Sequence, residues 1–306
     1  MQIEKRNRYD ELMTLNGIDT LSGYVDGYIN RNCFDLEYFD NVKKCSYYGD
    51  KDKTYIEINP NKNADAENLI TSFSRFDKKL QEIFASGGID LDDFALTRFD
   101  FCFNSTLVES FELYQKLHRL LISCIALAEK CENNYVSHDL WSDERLSIRI
   151  QSSLLEVENY NKHLQSKGKD TCKNRLEIRS KKLKSTEIEE QLKVKWFDIF
   201  DRAVAEFGNV QKKYNDNLEQ IYKQDLAKPQ NERRFANLTG FLMAYKECIY
   251  TTSQMIDLLS RFDEVKNPKN RAKRFKENHK IEYFSLKDLK ILIKMLKKKI
   301  KIYLKN

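Results

Sequence analysis

Glycine and proline are scarce, at 9 and 3 of 306 residues. So little turn material excludes a sandwich or barrel built from many tight hairpins and favours long helices with a few strands. No run approaches the roughly 18 consecutive apolar residues of a membrane-spanning helix. The opening MQIEKRNRYDELM lacks the apolar core of a secretion signal. A cytoplasmic protein without a membrane partner is therefore expected. Cysteines 33, 45, 102, 124, 131, 172 and 248 are odd in number and form no CxxC pair. That argues against a disulfide framework or zinc ribbon and for packing thiols. His118, His138, His163 and His279 lie far apart with no HxH or HExxH spacing, so a histidine metal site is not expected. There is no glycine-rich phosphate loop, nucleophile elbow or dinucleotide fingerprint.

What is present is large and apolar enough to fold. The chain carries 18 Phe and 16 Tyr among 41% apolar residues, and its length suits about two domains. Trp141 and Trp196 read as core residues. Charge is unevenly placed: residues 264–306 hold 15 Lys and Arg against 4 Asp and Glu, a net +11 in a chain of +6, so residues 1–263 carry −5. Lys290, Lys294, Lys297, Lys298, Lys301 and Lys305 interleave with Leu289, Leu292, Ile293, Leu296 and Ile300 as on an amphipathic helix with one basic face. Such a face suits a phosphate backbone. A merely solvated helix face, or one lying on an anionic membrane, is the alternative.

Strands are expected at 24–33, 53–59, 94–103, 145–151, 154–162 and 174–180, with helices at 65–84 and 106–131. From about 185 onward the pattern is helical, over 185–225, 233–263, 268–280 and 285–304. This order predicts an α+β fold: an antiparallel sheet with helices on one face, as a duplicated β-α-β-type catalytic domain over 1–183, then an all-helical basic region over 184–306. Side chains alternate along a strand, so each strand can be sorted into a core side and an open side. Ile56, Ile58, Leu176 and Ile178 go to the core, while Tyr55, Glu57, Arg175, Glu177 and Arg179 go to the open face. In LLEVENYNK, Glu156, Glu158, Tyr160 and Lys162 share one side.

A tyrosine beside carboxylates and a lysine has a chemical use. A phenol with an ordinary pKa near 10 attacks phosphorus only if a metal ion or a cation favours the phenolate. Asp100, Glu158 and Glu177 are the acids placed to hold Mg²⁺ or Mn²⁺ through oxygen, and Arg98, Arg175 and Arg179 would grip flanking phosphates. An ordinary β-forming tyrosine and plain cross-strand ion pairing are the other readings of the same residues.

LTRFDFCFN (96–104), ENYNKHLQSKG (158–168) and NRLEIRSKKL (174–183), in this order, resemble the replication initiators of rolling-circle plasmids, related transposon proteins and filamentous-phage replication nickases. YIEINP (55–60) fits an earlier strand more loosely. The resemblance covers roughly 50–183. It implies a strand-specific endonuclease and DNA strand transferase in which a tyrosine attacks the origin, a 5′-phosphotyrosyl bond forms and the free 3′-OH primes synthesis. Carried across, the matching positions are Asp100 in the first motif, Tyr160 and Lys162 in the second, and Glu177 with Arg175 and Arg179 in the third. The partners implied are double-stranded origin DNA, single-stranded DNA and a host helicase, with the protein acting as a homodimer. A non-catalytic DNA-binding initiator or partition-type protein is the alternative of a different class.

Overall fold

The computed structural model describes residues 15–62, 69–105, 110–131, 148–168, 171–172, 174–183 and 188–306. The expectations for His138, Trp141 and residues 145–147 lie outside them. In chain order come β1 (Leu15–Asp26), β2 (Val42–Tyr48), β3 (Lys53–Ile58), α1 (Phe73–Ser86), β4 (Ala95–Ser105), α2 (Ser110–Ala128), β5 (Ile148–Gln151), β6 (Leu155–Tyr160) and β7 (Asn174–Lys181). Helices follow to the end: α3 (Trp196–Ala205), α4 (Phe207–Leu226), α5 (Leu238–Ala244), α6 (Thr252–Ser260), α7 (Pro268–Asn278) and α8 (Leu286–Lys305). The fold is α+β. Its seven strands form one sheet in the order β2-β3-β1-β4-β7-β6-β5, antiparallel at every pairing whose register is described.

The chain forms two compact units that are interleaved in sequence. One holds the described residues of 1–111, 149–198 and 293–306, and the other those of 112–148 and 199–292. The sequence alone suggested a linear division near 183; the last turns of α8, from Ile293, instead belong with the sheet.

Within the sheet unit the alternation of side chains sets the core. Ile56, Ile58, Phe99, Phe101, Phe103, Leu155, Val157, Leu176 and Ile178 are all buried. The same layer holds Phe76, Leu80, Ile83 and Phe84 of α1. Trp196 is also buried, its Nε1 donating to Ser180 Oγ at 2.8 Å. Leu296, Ile300 and Tyr303 of α8 are buried too. The Tyr303 ring lies edge-on to Phe101, with centroids 5.2 Å apart, and to Phe73 at 6.1 Å. In the other unit, Arg261 ties α6 to α4, with Nη1 2.7 Å from Asp216 Oδ1 and 3.1 Å from Glu219 Oε2. Tyr214 and Ser123 share a buried hydrogen bond of 3.0 Å there.

Several boundaries differ from expectation for identifiable reasons. The first strand was expected at 24–33 but runs over 15–26, and it ends where Gly27 takes φ +80. Its Gly17 is required sterically, because a Cβ there would collide with the Ile70 carbonyl. α1 starts at Phe73, after non-helical residues 69–72, with Ser72 in an extended conformation accepting from Arg75 N as its N-cap; positions 65–68 of the expected helix lie outside the described residues. The expected 233–263 helix is interrupted because Asn237 and Thr251 each cap a new one, accepting from Gly240 N and Gln254 N. β2 was not anticipated. Its VKKCSYY sequence is largely polar, as suits the edge strand it forms. All seven cysteines are free, with Cys33 exposed, Cys45 half-buried and the rest buried. Among the described residues no helix is long and apolar enough to cross a membrane.

The burial of Leu296 makes the part of α8 from Ile293 onward belong to the sheet unit's core rather than form an appendage. Leu296→Ala should therefore destabilise the protein by about 2–5 kcal/mol, read as a fall in urea midpoint; an unchanged midpoint would detach α8 from that core.

Candidate active site

The polar side of the sheet is an ion-pair lattice whose rows are set by strand register. Asp100 of β4 stands opposite Arg179 of β7, and Arg179 opposite Glu156 of β6. In the next row Cys102 faces Glu177 and Glu177 faces Glu158; beyond it Asn104 faces Arg175 and Arg175 faces Tyr160. The three strands that carry the sequence motifs are thus β4, β7 and β6, side by side. Their sorted side chains fall on one face, as the alternation requires.

Arg179 is the hub. Its Nε donates to Glu177 Oε1 at 2.6 Å, and its Nη1 is paired with Glu156. Asp100 Oδ2 lies 3.4 Å from Nε, and Glu158 Oε2 lies 3.5 Å from Nη2. Arg98 forks onto Asp100, with Nε–Oδ1 at 2.7 Å and Nη2–Oδ2 at 2.5 Å. Arg175 donates to Asn104 Oδ1 at 2.9 Å and to Asp19 Oδ1 at 3.1 Å. Lys181 and Arg149 complete the set on Glu156, at 2.7 and 2.9 Å. Asp19, Asp100, Glu156, Glu158 and Glu177 therefore meet Arg98, Arg149, Arg175, Arg179 and Lys181, five anions to five cations.

Tyr160 is 4% exposed, and its hydroxyl donates to Glu177 Oε2 at 2.8 Å. Burial first, and then the Glu177 charge, push its phenol pKa far above the ordinary value, against the opposing pull of Arg175. Lys162 does not share the strand with Tyr160. Asn161 ends β6 and caps a single helical turn, Lys162–Gln165, in which Lys162 Nζ donates to Gln165 Oε1 at 3.0 Å and sits 5.8 Å from the Tyr160 ring centroid.

Burial acts to raise the pKa of Asp100, Glu158, Glu156 and Asp19 alike, and the neighbouring charges decide the net direction. Asp100 is pushed up to about 6, because its burial and the neighbouring Glu177 outweigh the hydrogen bonds and charge of Arg98 and the charge of Arg179. The same pair raises the Arg98 pKa, chiefly through the hydrogen bonds to Asp100, so the contact favours charge on the arginine more than burial permits on the aspartate. Glu158 is also raised, by burial. For Glu156, burial is overcome by Lys181, Arg179 and Arg149, and for Asp19 by Arg175, Lys43 and Lys162, so both lie below the usual carboxylate range.

The metal ligands expected from the sequence, Asp100, Glu158 and Glu177, are near one another, but guanidinium groups occupy the space between them. Among the described residues no group of three or more His, Cys, Asp or Glu side chains is arranged to hold a metal ion. As arranged, the carboxylates do not fit Mg²⁺ or Mn²⁺, whose oxygen ligands must be free to face the ion. Arg98, Arg175 and Arg179, expected to grip phosphates, point into this lattice. Lys290, Lys294, Lys298 and Lys301 are exposed on α8, whereas Lys297 is half-buried with Nζ 5.1 Å from the Phe197 ring centroid. Lys287 and Lys305 extend the exposed row at helical spacing. The sequence leaves open whether Glu156 or Glu158 shares the Asp100 row, and the register places Glu156 there. Sequence reasoning missed Asp19, which enters through a β-bulge between Ile18 and Thr20 that no sequence pattern marks.

Asp100 yields a pH test with a definite sign. Its folded pKa exceeds the unfolded value near 3.9, so the folded state binds the proton more tightly, and its stabilising contribution is present near pH 4 and lost as pH rises through about 6. The stability of Asp100→Asn relative to wild type should accordingly increase between pH 4 and pH 7, by up to about 3 kcal/mol. Paired urea titrations at the two pH values would show it; a constant difference would refute the raised pKa.

No protein family, curated protein or solved structure matches this chain, so the reading of the site rests on its own residues and geometry.

Proposed function

We propose that the protein is a replication initiator that binds origin DNA and opens one strand through a tyrosine, starting rolling-circle replication of a plasmid, phage or mobile element. The observation that carries this reading is the 2.8 Å hydrogen bond from Tyr160 to Glu177, a nucleophile joined to a base on the adjacent strand. In the step it supports, the Tyr160 oxygen bonds to phosphorus while Glu177 takes the phenol proton. The bond from phosphorus to the 3′-oxygen breaks, and Lys162 supplies the proton with which that oxygen leaves. Arg175 and Arg179, beside Glu177, would balance the charge on the phosphoryl oxygens. The resemblance in motifs 96–104, 158–168 and 174–183 supports the same assignment and brings with it the duplicated β-α-β character of the domain. It also implies Mg²⁺ or Mn²⁺, which would have to displace the Arg179 guanidinium to reach Asp100 and Glu177. The exposed lysines of α8 supply attraction to the duplex backbone. Single-stranded DNA, a host helicase and a second copy of the chain are the further partners of this proposal, and the cytoplasm is its compartment.

A second reading is favoured by the 4% exposure of Tyr160 and by the five-to-five charge balance around it. On that reading the face is structural, and the protein binds its origin without breaking a bond.

The two separate cleanly. Supercoiled plasmid carrying the protein's own replicon, incubated with Mg²⁺ or Mn²⁺, should yield nicked circles with covalently attached protein. Tyr160→Phe should abolish the adduct, and Glu177→Gln should slow its formation at least about 100-fold. Adducts persisting in Tyr160→Phe would move the nucleophile to another tyrosine such as Tyr55. Absence of any adduct with either metal, with duplex binding retained, would establish the non-catalytic reading.

A further inference from the structure

Two basic helices carry different chemistry. The exposed charged residues of α8 are lysines alone, Lys287, Lys290, Lys294, Lys298, Lys301 and Lys305, with Ile302 the one other exposed residue of the helix. A row of compact, hydrated point charges suits phosphate oxygens, which are the same at every base pair. α7 is different. Only Ala272 and Phe275 are buried, a stripe one turn long by which the helix is held in its unit. Its opposite face, at the i, i+3, i+4, i+7 positions, presents Asn270, Lys273, Arg274 and Glu277, all exposed. Lys269 and Lys276 flank that face, again exposed. No ion pair among the described residues takes up Lys273 or Arg274.

Resting on the DNA-binding reading above, we infer that α7 is the helix that reads base sequence, lying in the major groove with Asn270, Lys273, Arg274 and Glu277 toward the base edges. The residue types carry the argument. Asparagine pairs two-fold with adenine, arginine and lysine with guanine, and a carboxylate accepts from cytosine, so the outward face holds both donors and acceptors. A face that only needed solubility or phosphate attraction would not require an asparagine and a glutamate at its centre. Burial through two residues leaves most of the helix circumference free to enter a groove about 12 Å wide. The flanking Lys269 and Lys276 are then placed for the groove's phosphate wall. Eleven residues make a helix about 16 Å long, which spans about 4–5 base pairs at 3.4 Å each. The helix is anchored by its neighbour α6, which Arg261 fixes through Asp216, Glu219 and Asp257.

The test uses the full chain and a duplex library with 16 randomised base pairs, in EDTA so that no strand is cut, with bound molecules sequenced. Wild type should enrich a core of about 4–5 base pairs. Asn270→Ala and Arg274→Ala should each relax discrimination about tenfold at one position and leave the others in place. Lys294→Gln with Lys301→Gln should leave the enriched sequence unchanged while flattening the slope of log K against log salt by about 2. Should Arg274→Ala lower the melting temperature, Arg274→Lys, which keeps the charge and loses the planar fork, reads the same position. An enriched sequence that survives the α7 variants, or salt-dependent binding with no enriched sequence, would overturn the inference and leave DNA binding standing. No binding to any member at low salt would overturn both.

Discussion

The arrangement of the sheet's polar side depends on one guanidinium. Arg179 lies among Asp100, Glu156, Glu158 and Glu177, and without it four carboxylates would face one another across adjacent strands. Carboxylates cannot lose that much water without a cation that satisfies their lone pairs, and losing one partner of a buried pair leaves a charge with no compensation. Arginine meets the requirement as lysine could not. Its donors lie in one plane, and here the same side chain reaches β4 on one side and β6 on the other. The hub therefore ties three strands together by side chains as well as by backbone ladders, and it selects one register, since a slip by one residue would turn every one of these charges into the apolar layer.

What could be read beforehand follows from the same geometry. Alternation is a property of a strand by itself, so the core side of β3, β4, β6 and β7 was legible from Ile56, Phe101, Val157 and Ile178 alone. Pairing is a property of two strands, and it was not legible: whether Glu156 or Glu158 shares the Asp100 row depends on where β6 starts against β7. Asp19 was hidden for a third reason, because the bulge that turns it toward Arg175 breaks the period on which the sorting relies. Helix starts were misplaced where a side chain competes for the backbone. Leu69 and Ile70 have helical spacing with Phe73 and Phe76, but Ser72 is extended and caps the helix that starts at Phe73, so the apolar pattern runs on ahead of the helix itself.

Charge is handled in two ways along this chain. On the sheet, each carboxylate of the lattice has a cationic partner among the arginines and Lys181. On α8 no acidic residue follows Asp288, and lysines hold the solvent side while Leu289, Leu292, Leu296 and Ile300 hold the other. Arg98, Arg175 and Arg179 are rich in donors, and in this structure their acceptors come from the protein, with which a phosphate would have to compete.

The double character of α8 links attraction to stability. The face that carries Lys294, Lys298 and Lys301 exists as a row only while the opposite face, with Leu296, Ile300 and Tyr303, is packed in the sheet unit. A polyanion that recognises the row binds the folded helix and not the unfolded chain, in which the same lysines are dispersed over a longer contour. Ligand at 100 times its dissociation constant would then add about 2.7 kcal/mol to the folded state. That is comparable to the loss of one buried side chain from the same helix. With a polyanion bound to the row, its binding and the packing of the sheet core would be thermodynamically linked, so a variant that loosens the packed face of α8 would also weaken that binding.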